Sequence, residues 1–100
     1  MERATHGGWV YMMANRYRGT LYTGVTSDIA ARVVQHREGK GSEFCAKHGL
    51  TRLVWAEFTT PIDEAIAHEK RLKRWRRGWK FDLIEKANPE WRDLFDDLTG

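Results

Sequence analysis

The run GWVYMMA at residues 8–14 constrains this chain more than any other stretch. It is rich in β-forming residues and carries no charge, the pattern of a strand covered on both faces. NRYRG (15–19) is turn-like, and TLYTGV (20–25) is a second β-rich run. Two such runs joined by a short loop containing Gly19 predict an antiparallel hairpin. One hundred residues supply a single domain with one modest core, not two, so residues 1–100 are expected to form one domain with its core at about 8–95.

Beyond the hairpin the period changes. TSDIAARVVQHRE has helical spacing, with Thr26 or Ser27 available as N-cap and Asp28 favourable in the first turn. GKGSEFCAKHG (39–49) ends that helix as a loop with room for a short helical turn, and TRLVWAEFT (51–59) reads as a third strand. Thr60 as cap, Pro61 as first helical residue, and Asp63 and Glu64 at the positive end open a helix expected to run to near Gly78. WKFDLIEKA (79–87) is a further helix ended at Asn88-Pro89, after which Trp91 and Leu94 can pack back in a last turn. The order β-β-α-β-α-α gives an α+β fold, a three-stranded antiparallel sheet flanked by helices.

A hydrophobic content of 41% with 12% aromatic residues argues against a disordered chain. The lone Cys45 has no disulfide partner, which fits a reducing, cytoplasmic setting. No apolar run approaches the roughly 20 residues a bilayer span needs, and MERATHGG lacks the apolar stretch of a leader. Net charge is only +3, but it is uneven. Lys70, Arg71, Lys73, Arg74, Arg76, Arg77 and Lys80 follow one another without an acid, and Glu90, Asp93, Asp96 and Asp97 reverse the balance. Such a basic block suits a polyanion, although a solvated helix face carries the same pattern.

Polar residues also stand where apolar ones are expected. In DEAIAHEKRLKRW (63–75), Glu69 shares a face with Ile62, Ala65, Ile66 and Leu72. A carboxylate turned toward a core costs several kcal/mol, roughly, unless something pairs with it. Arg32 and His36 lie one turn apart on the helix face marked by Ile29 and Val33. Tyr11 and Tyr22 come close across the hairpin, and Gly24 leaves open space beside the second phenol. Taken singly, each has an ordinary structural explanation. Together they match the needs of phosphodiester cleavage: a base near the nucleophile, positive charge on the phosphate oxygens, and a carboxylate for a metal ion. Tyr22 or Tyr11 can supply the base, Arg32 the clamp, and Glu69 a single ligand for Mg²⁺, which often takes only one or two protein carboxylates.

The run WVYMMANRYRGTLYTGVTSDIAARVVQHREGKGS resembles the GIY-YIG nuclease superfamily, especially its small single-domain bacterial members and the N-terminal domain of the excision-repair nuclease C subunit. Trp9-Val10-Tyr11 and Tyr22-Thr23-Gly24 stand for the two half-motifs, with Trp9 replacing the family's glycine and Thr23 its isoleucine. The resemblance puts the family's arginine on Arg32, its histidine on His36 and its metal-binding glutamate on Glu69, and assigns Asn88 a place supporting the site. It implies a metal-dependent endonuclease that hydrolyses DNA one strand per site, with one Mg²⁺ or Mn²⁺. The base role is carried to Tyr22, with Tyr11 as alternative or hydrogen-bond partner. Because phenols titrate near pH 10, roughly, Tyr22 would need Arg32, the metal or a proton acceptor such as His36 to act at neutral pH. The basic block from Lys70 to Lys80 would hold DNA backbone phosphates. The pathway stays open among repair, recombination, DNA uptake and defence.

Two other readings compete. A catalytically silent DNA- or RNA-binding module would keep the fold without the reaction. A zinc site could draw on Cys45, His48, His36 and His68, but only Cys45 and His48 are closely spaced.

Overall fold

The computed structural model describes residues 6–99; residues 1–5 and residue 100, the ends of the expected domain and most of the MERATHGG segment, lie outside the described residues. The elements are β1 (Gly8–Ala14), β2 (Leu21–Thr26), α1 (Ile29–Arg37), α2 (Glu43–His48), β3 (Arg52–Thr59), α3 (Ile62–Lys73), α4 (Arg77–Ala87) and α5 (Phe95–Thr99). The strands form one antiparallel sheet in the order β2-β1-β3. This is the expected α+β arrangement.

β1 occupies the middle of the sheet, which accounts for its uninterrupted apolar sequence. Successive strand side chains point to opposite faces. Tyr11 and Met13 pack with Ile29 and Val33 of α1, Cys45 of α2, Leu50 and Leu53. Val10, Met12 and Ala14 pack on the other face with Ala65 and Leu72 of α3, Ile84 of α4 and Trp91. One strand therefore carries two apolar clusters, one per face, where a single modest core was expected, because helices cover both sides of the sheet.

The helix boundaries depart from expectation in physically instructive ways. The cap of α1 is Asp28, not Thr26 or Ser27. Its carboxylate accepts from the Ala31 N–H at 3.1 Å, while Thr26 Oγ1 accepts from the Asp28 N–H. α3 has no side-chain cap: Pro61 rather than Thr60 holds the cap position, and the Ile62 N–H donates to the His6 carbonyl instead. Nor does this helix reach Gly78. It ends at Lys73, the chain turns through Arg74–Arg76, and Gly78 falls in the first turn of α4. The turn is needed because Leu72 and Ile84, on consecutive helices, enter the same core. Within residues 39–49, Ser42 caps α2 and Gly49, at φ +66°, ends it.

Candidate active site

The hairpin register brings the two phenols together diagonally. Tyr11 stands opposite Gly24 and Tyr22 opposite Met13, with the phenol ring centres 6.4 Å apart. A Cβ at position 24 would come within 2.5 Å of the Tyr11 hydroxyl. The space left by Gly24 is thus filled by Tyr11 itself, not left open beside Tyr22. Tyr11 is fully buried, whereas Tyr22 is half-exposed.

α1 supplies the next two groups. Ile29 and Val33 anchor its inner face, and His36 follows one turn later, also buried. The Tyr11 hydroxyl and His36 Nε2 are 2.8 Å apart, and the His36 ring centre is 5.5 Å from that of Tyr22. Gly41 closes over the imidazole so tightly that a Cβ there would meet Nδ1 at 2.8 Å. Nδ1 itself is buried with no hydrogen-bond partner. Burial, aided by the Arg32 charge, pushes the His36 pKa down, so the ring is neutral at neutral pH. Burial raises the Tyr11 pKa well above the ordinary phenol range, with Tyr22 adding to it and Arg32 opposing. Tyr11 therefore remains protonated. Among the described residues no carboxylate pairs with Arg32, leaving its guanidinium free for an anion.

The fifth group arrives from the other face of the sheet. Glu69 is only 8% exposed, on the buried side of α3 beside Ala65 and Leu72. It is not unpaired. Lys73, one turn on, donates to Glu69 Oε2 at 2.8 Å, and its ammonium lies 5.8 Å from the centre of the Tyr22 ring. The hydrogen bond to Glu69 raises the Lys73 pKa against the opposing effect of burial, so the lysine is charged. Tyr22 is consequently the joint between Tyr11, His36 and Arg32 on one side and the Glu69–Lys73 pair on the other.

The remaining sequence candidates disperse. Lys73 belongs with Glu69 rather than to a free phosphate-binding surface. Arg77 donates to the carbonyls of Arg18 (3.0 Å) and Gly19 (2.8 Å), fastening α4 to the β1–β2 turn. Lys70, Arg71 and Arg74 line a shallow groove of about 290 Å³ on α3. The Arg76 guanidinium lies over the Trp79 ring, and Lys80 is half-buried. Asn88 spends its side chain on the backbone of Val54 and Arg92, which makes it a pin between α4 and β3. One residue was given another role by the sequence reading and one escaped it. Lys73, read as part of the basic block, was detectable as the i+4 neighbour of a buried acid. Phe44, 43% exposed with its ring centre 6.4 Å from that of Tyr22, was hidden in a segment read as loop; burying Cys45 on α2 turns it outward.

A family model described as the GIY-YIG catalytic domain matches residues 7–82. The chain belongs to the GIY-YIG family. It is 35% identical over 69 residues to a UPF0213 protein of Staphylococcus epidermidis, covering 69% of this chain and 84% of that one. A UPF0213 protein of Bacillus pumilus is 32% identical over 90 residues, 90% of this chain and 89% of the relative. One from Lacticaseibacillus paracasei is 32% identical over 92 residues, 92% of this chain and all of the relative. No solved structure matches the chain. The GIY-YIG match spans Tyr11, Tyr22, Arg32, His36 and Glu69 and ends before Asn88.

A nuclease domain of this family implies a nucleic-acid substrate, and GIY-YIG nucleases generally depend on a divalent metal. The donor set is compatible with a hard cation held by one carboxylate. Glu69 is buried, with one oxygen engaged by Lys73. Among the described residues no group of three or more His, Cys, Asp or Glu could form a full protein cage. The zinc set in particular is scattered: His36 bonds to Tyr11, His48 stacks on Phe44, and His68 lies against Trp55 and Glu57. No helix among the described residues is long and apolar enough to cross a membrane.

Proposed function

We propose that this protein is an endonuclease that hydrolyses DNA phosphodiesters, one strand per site, with one Mg²⁺ or Mn²⁺ at Glu69. The observation that carries this reading is the grouping around Tyr22 of His36, beside its ring, and of Lys73, which ties the ring to the buried Glu69 carboxylate, with the Arg32 charge acting on Tyr11 and His36 next to them. When bound, the metal would supply positive charge for the scissile phosphate and its leaving oxygen.

The chain's own groups divide the remaining work. Tyr22 is the phenol that solvent reaches, so it takes the proton of the attacking water as its own hydroxyl proton passes to solvent. Tyr11, buried and bonded to His36, fixes the floor against which Tyr22 and Arg32 are set. Arg32 holds the non-bridging oxygens, for which its planar fork is suited. Lys73 holds Glu69 in orientation, and it can release one carboxylate oxygen because its ammonium is half in water already. A silent binding module would have no use for an acid buried beside the phosphate site.

The test is incubation with single-stranded, duplex and branched DNA in Mg²⁺ or Mn²⁺, with a Glu69→Gln variant alongside. Cleavage by the wild type and its loss by about 10³-fold or more in the variant, with binding retained, is the expected result. Binding by both proteins with cleavage by neither would favour the silent module. Equal cleavage by both would remove Glu69 from the mechanism.

A further inference from the structure

The outer side of α4 carries a feature that the cleavage reaction does not use. Trp79 is 53% exposed, and its ring meets that of Trp75 edge-on at 6.0 Å. With Leu83, Asp82 and Lys86 the two indoles line a groove of about 290 Å³. Arg76 lies over the Trp79 ring at 5.6 Å from its centre. An indole held half in water by a partner ring, with a guanidinium on its face, offers a flat apolar surface bordered by cations.

We propose that this groove is a stacking site for an unpaired nucleobase of the DNA substrate, so that the protein prefers DNA with a single-stranded segment beside the cleaved bond. The proposal rests on the reading of the protein as a DNA nuclease. Charge selects the base over the phosphate as occupant. Asp82 and Lys86 in the lining cancel each other's charge and leave no net attraction for a phosphate within the groove, while Arg76 over the indole suits the phosphates flanking a stacked base. A route to the site is also present. Lys80, on the same helix as Trp79, is close enough to Lys73 for their charges to repel, and Lys73 is paired with Glu69 and lies 5.8 Å from the centre of the Tyr22 ring, so α4 carries cations toward the candidate site. Duplex DNA, whose bases are already stacked on one another, cannot use the indole in this way.

The test is binding of a fluorescein-labelled 15-nucleotide strand, its duplex, and an abasic strand of the same length, to the full chain in EDTA. Wild type should bind the base-bearing strand about 10-fold more tightly than the abasic one, and Trp79→Ala should abolish that difference while leaving duplex affinity unchanged. Trp79→Phe should restore most of it, and sedimentation of each variant checks its oligomeric state. Equal affinity of Trp79→Ala and wild type for the base-bearing strand would overturn the proposal. So would an altered oligomeric state with unaltered strand affinity, which would make the groove a contact between copies. Because binding is read in EDTA it is independent of cleavage, so a protein that binds in this way but fails to cut when Mg²⁺ or Mn²⁺ is supplied would refute the nuclease reading and leave the stacking site standing.

Discussion

The Asn88 corner and the His36 pocket both hold polar side chains beneath the surface, but they satisfy them differently. Asn88 Nδ2 donates to the carbonyls of Val54 and Arg92, and its Oδ1 accepts from the Arg92 N–H. Beside it, the Trp91 indole donates to Glu85, whose carboxyl also accepts two bonds from Arg18 and is held down to about 2 by them. Each of these polar atoms has a partner. In the His36 pocket, Nδ1 has no partner, and Arg32 has no acid among the described residues. Buried polar groups are nearly always hydrogen-bonded, so an incomplete set needs a reason. We propose that the completed corner is scaffold and that Arg32, beside the incomplete pocket, is where an outside anion binds.

The strongest test of that contrast is Arg32→Lys. A lysine keeps the charge but cannot grip two phosphate oxygens in a plane, so single-turnover cleavage should fall by about 10²–10³-fold. The melting temperature should stay put, because among the described residues Arg32 has no acid partner to lose. If stability fell and the folded fraction cleaved normally, the guanidinium would be scaffold and the contrast would fail.

Asn88→Ala should do the reverse. Two carbonyls and one N–H lose their partner, a cost of about 2 kcal/mol where a buried group is left unsatisfied. In a domain of this size that lowers the melting temperature by roughly 10 °C. Cleavage per folded molecule should hold. Loss of cleavage without loss of stability would return Asn88 to the site, where the family resemblance first put it.

The difference between the two regions also explains what could be read in advance. β1 was legible because a middle strand must be apolar on both faces, and Arg32, His36 and Glu69 stood out as polar residues on helical apolar faces. That reading needs only local periodicity. The junction between α3 and α4 was misread at Gly78, because the turn at Arg74–Arg76 is dictated by a shared core and not by a helix-breaking residue. Asn88 was placed by family analogy, yet its partners lie on β3 and beyond α4, contacts that no local pattern encodes. Phe44 was missed for a related reason: only the packing of Cys45 fixes which way α2 turns it. Within the site, Tyr11 and Tyr22 were correctly brought together, but the register that gives Gly24 to Tyr11 depends on the hairpin's turn.

The smallest expected effect sharpens the contrast by separating an incomplete site from a mere imperfection. Thr23, between Tyr22 and Gly24, is buried, and its Oγ1 has no partner either. Yet it faces Met12, whose side chain lies in the core beneath α3, and strand alternation turns it away from the phenols. Its hydroxyl is thus an unmet burial cost on the face away from the phenols. Thr23→Val keeps the branched shape that a strand favours and removes the hydroxyl. It should stabilise the fold by about 1 kcal/mol, a rise of roughly 4–8 °C in melting temperature, and leave cleavage unchanged. A variant that gained stability and lost cleavage would show that the hydroxyl faces substrate after all, and unsatisfied polarity would then mark the site on both faces of β2.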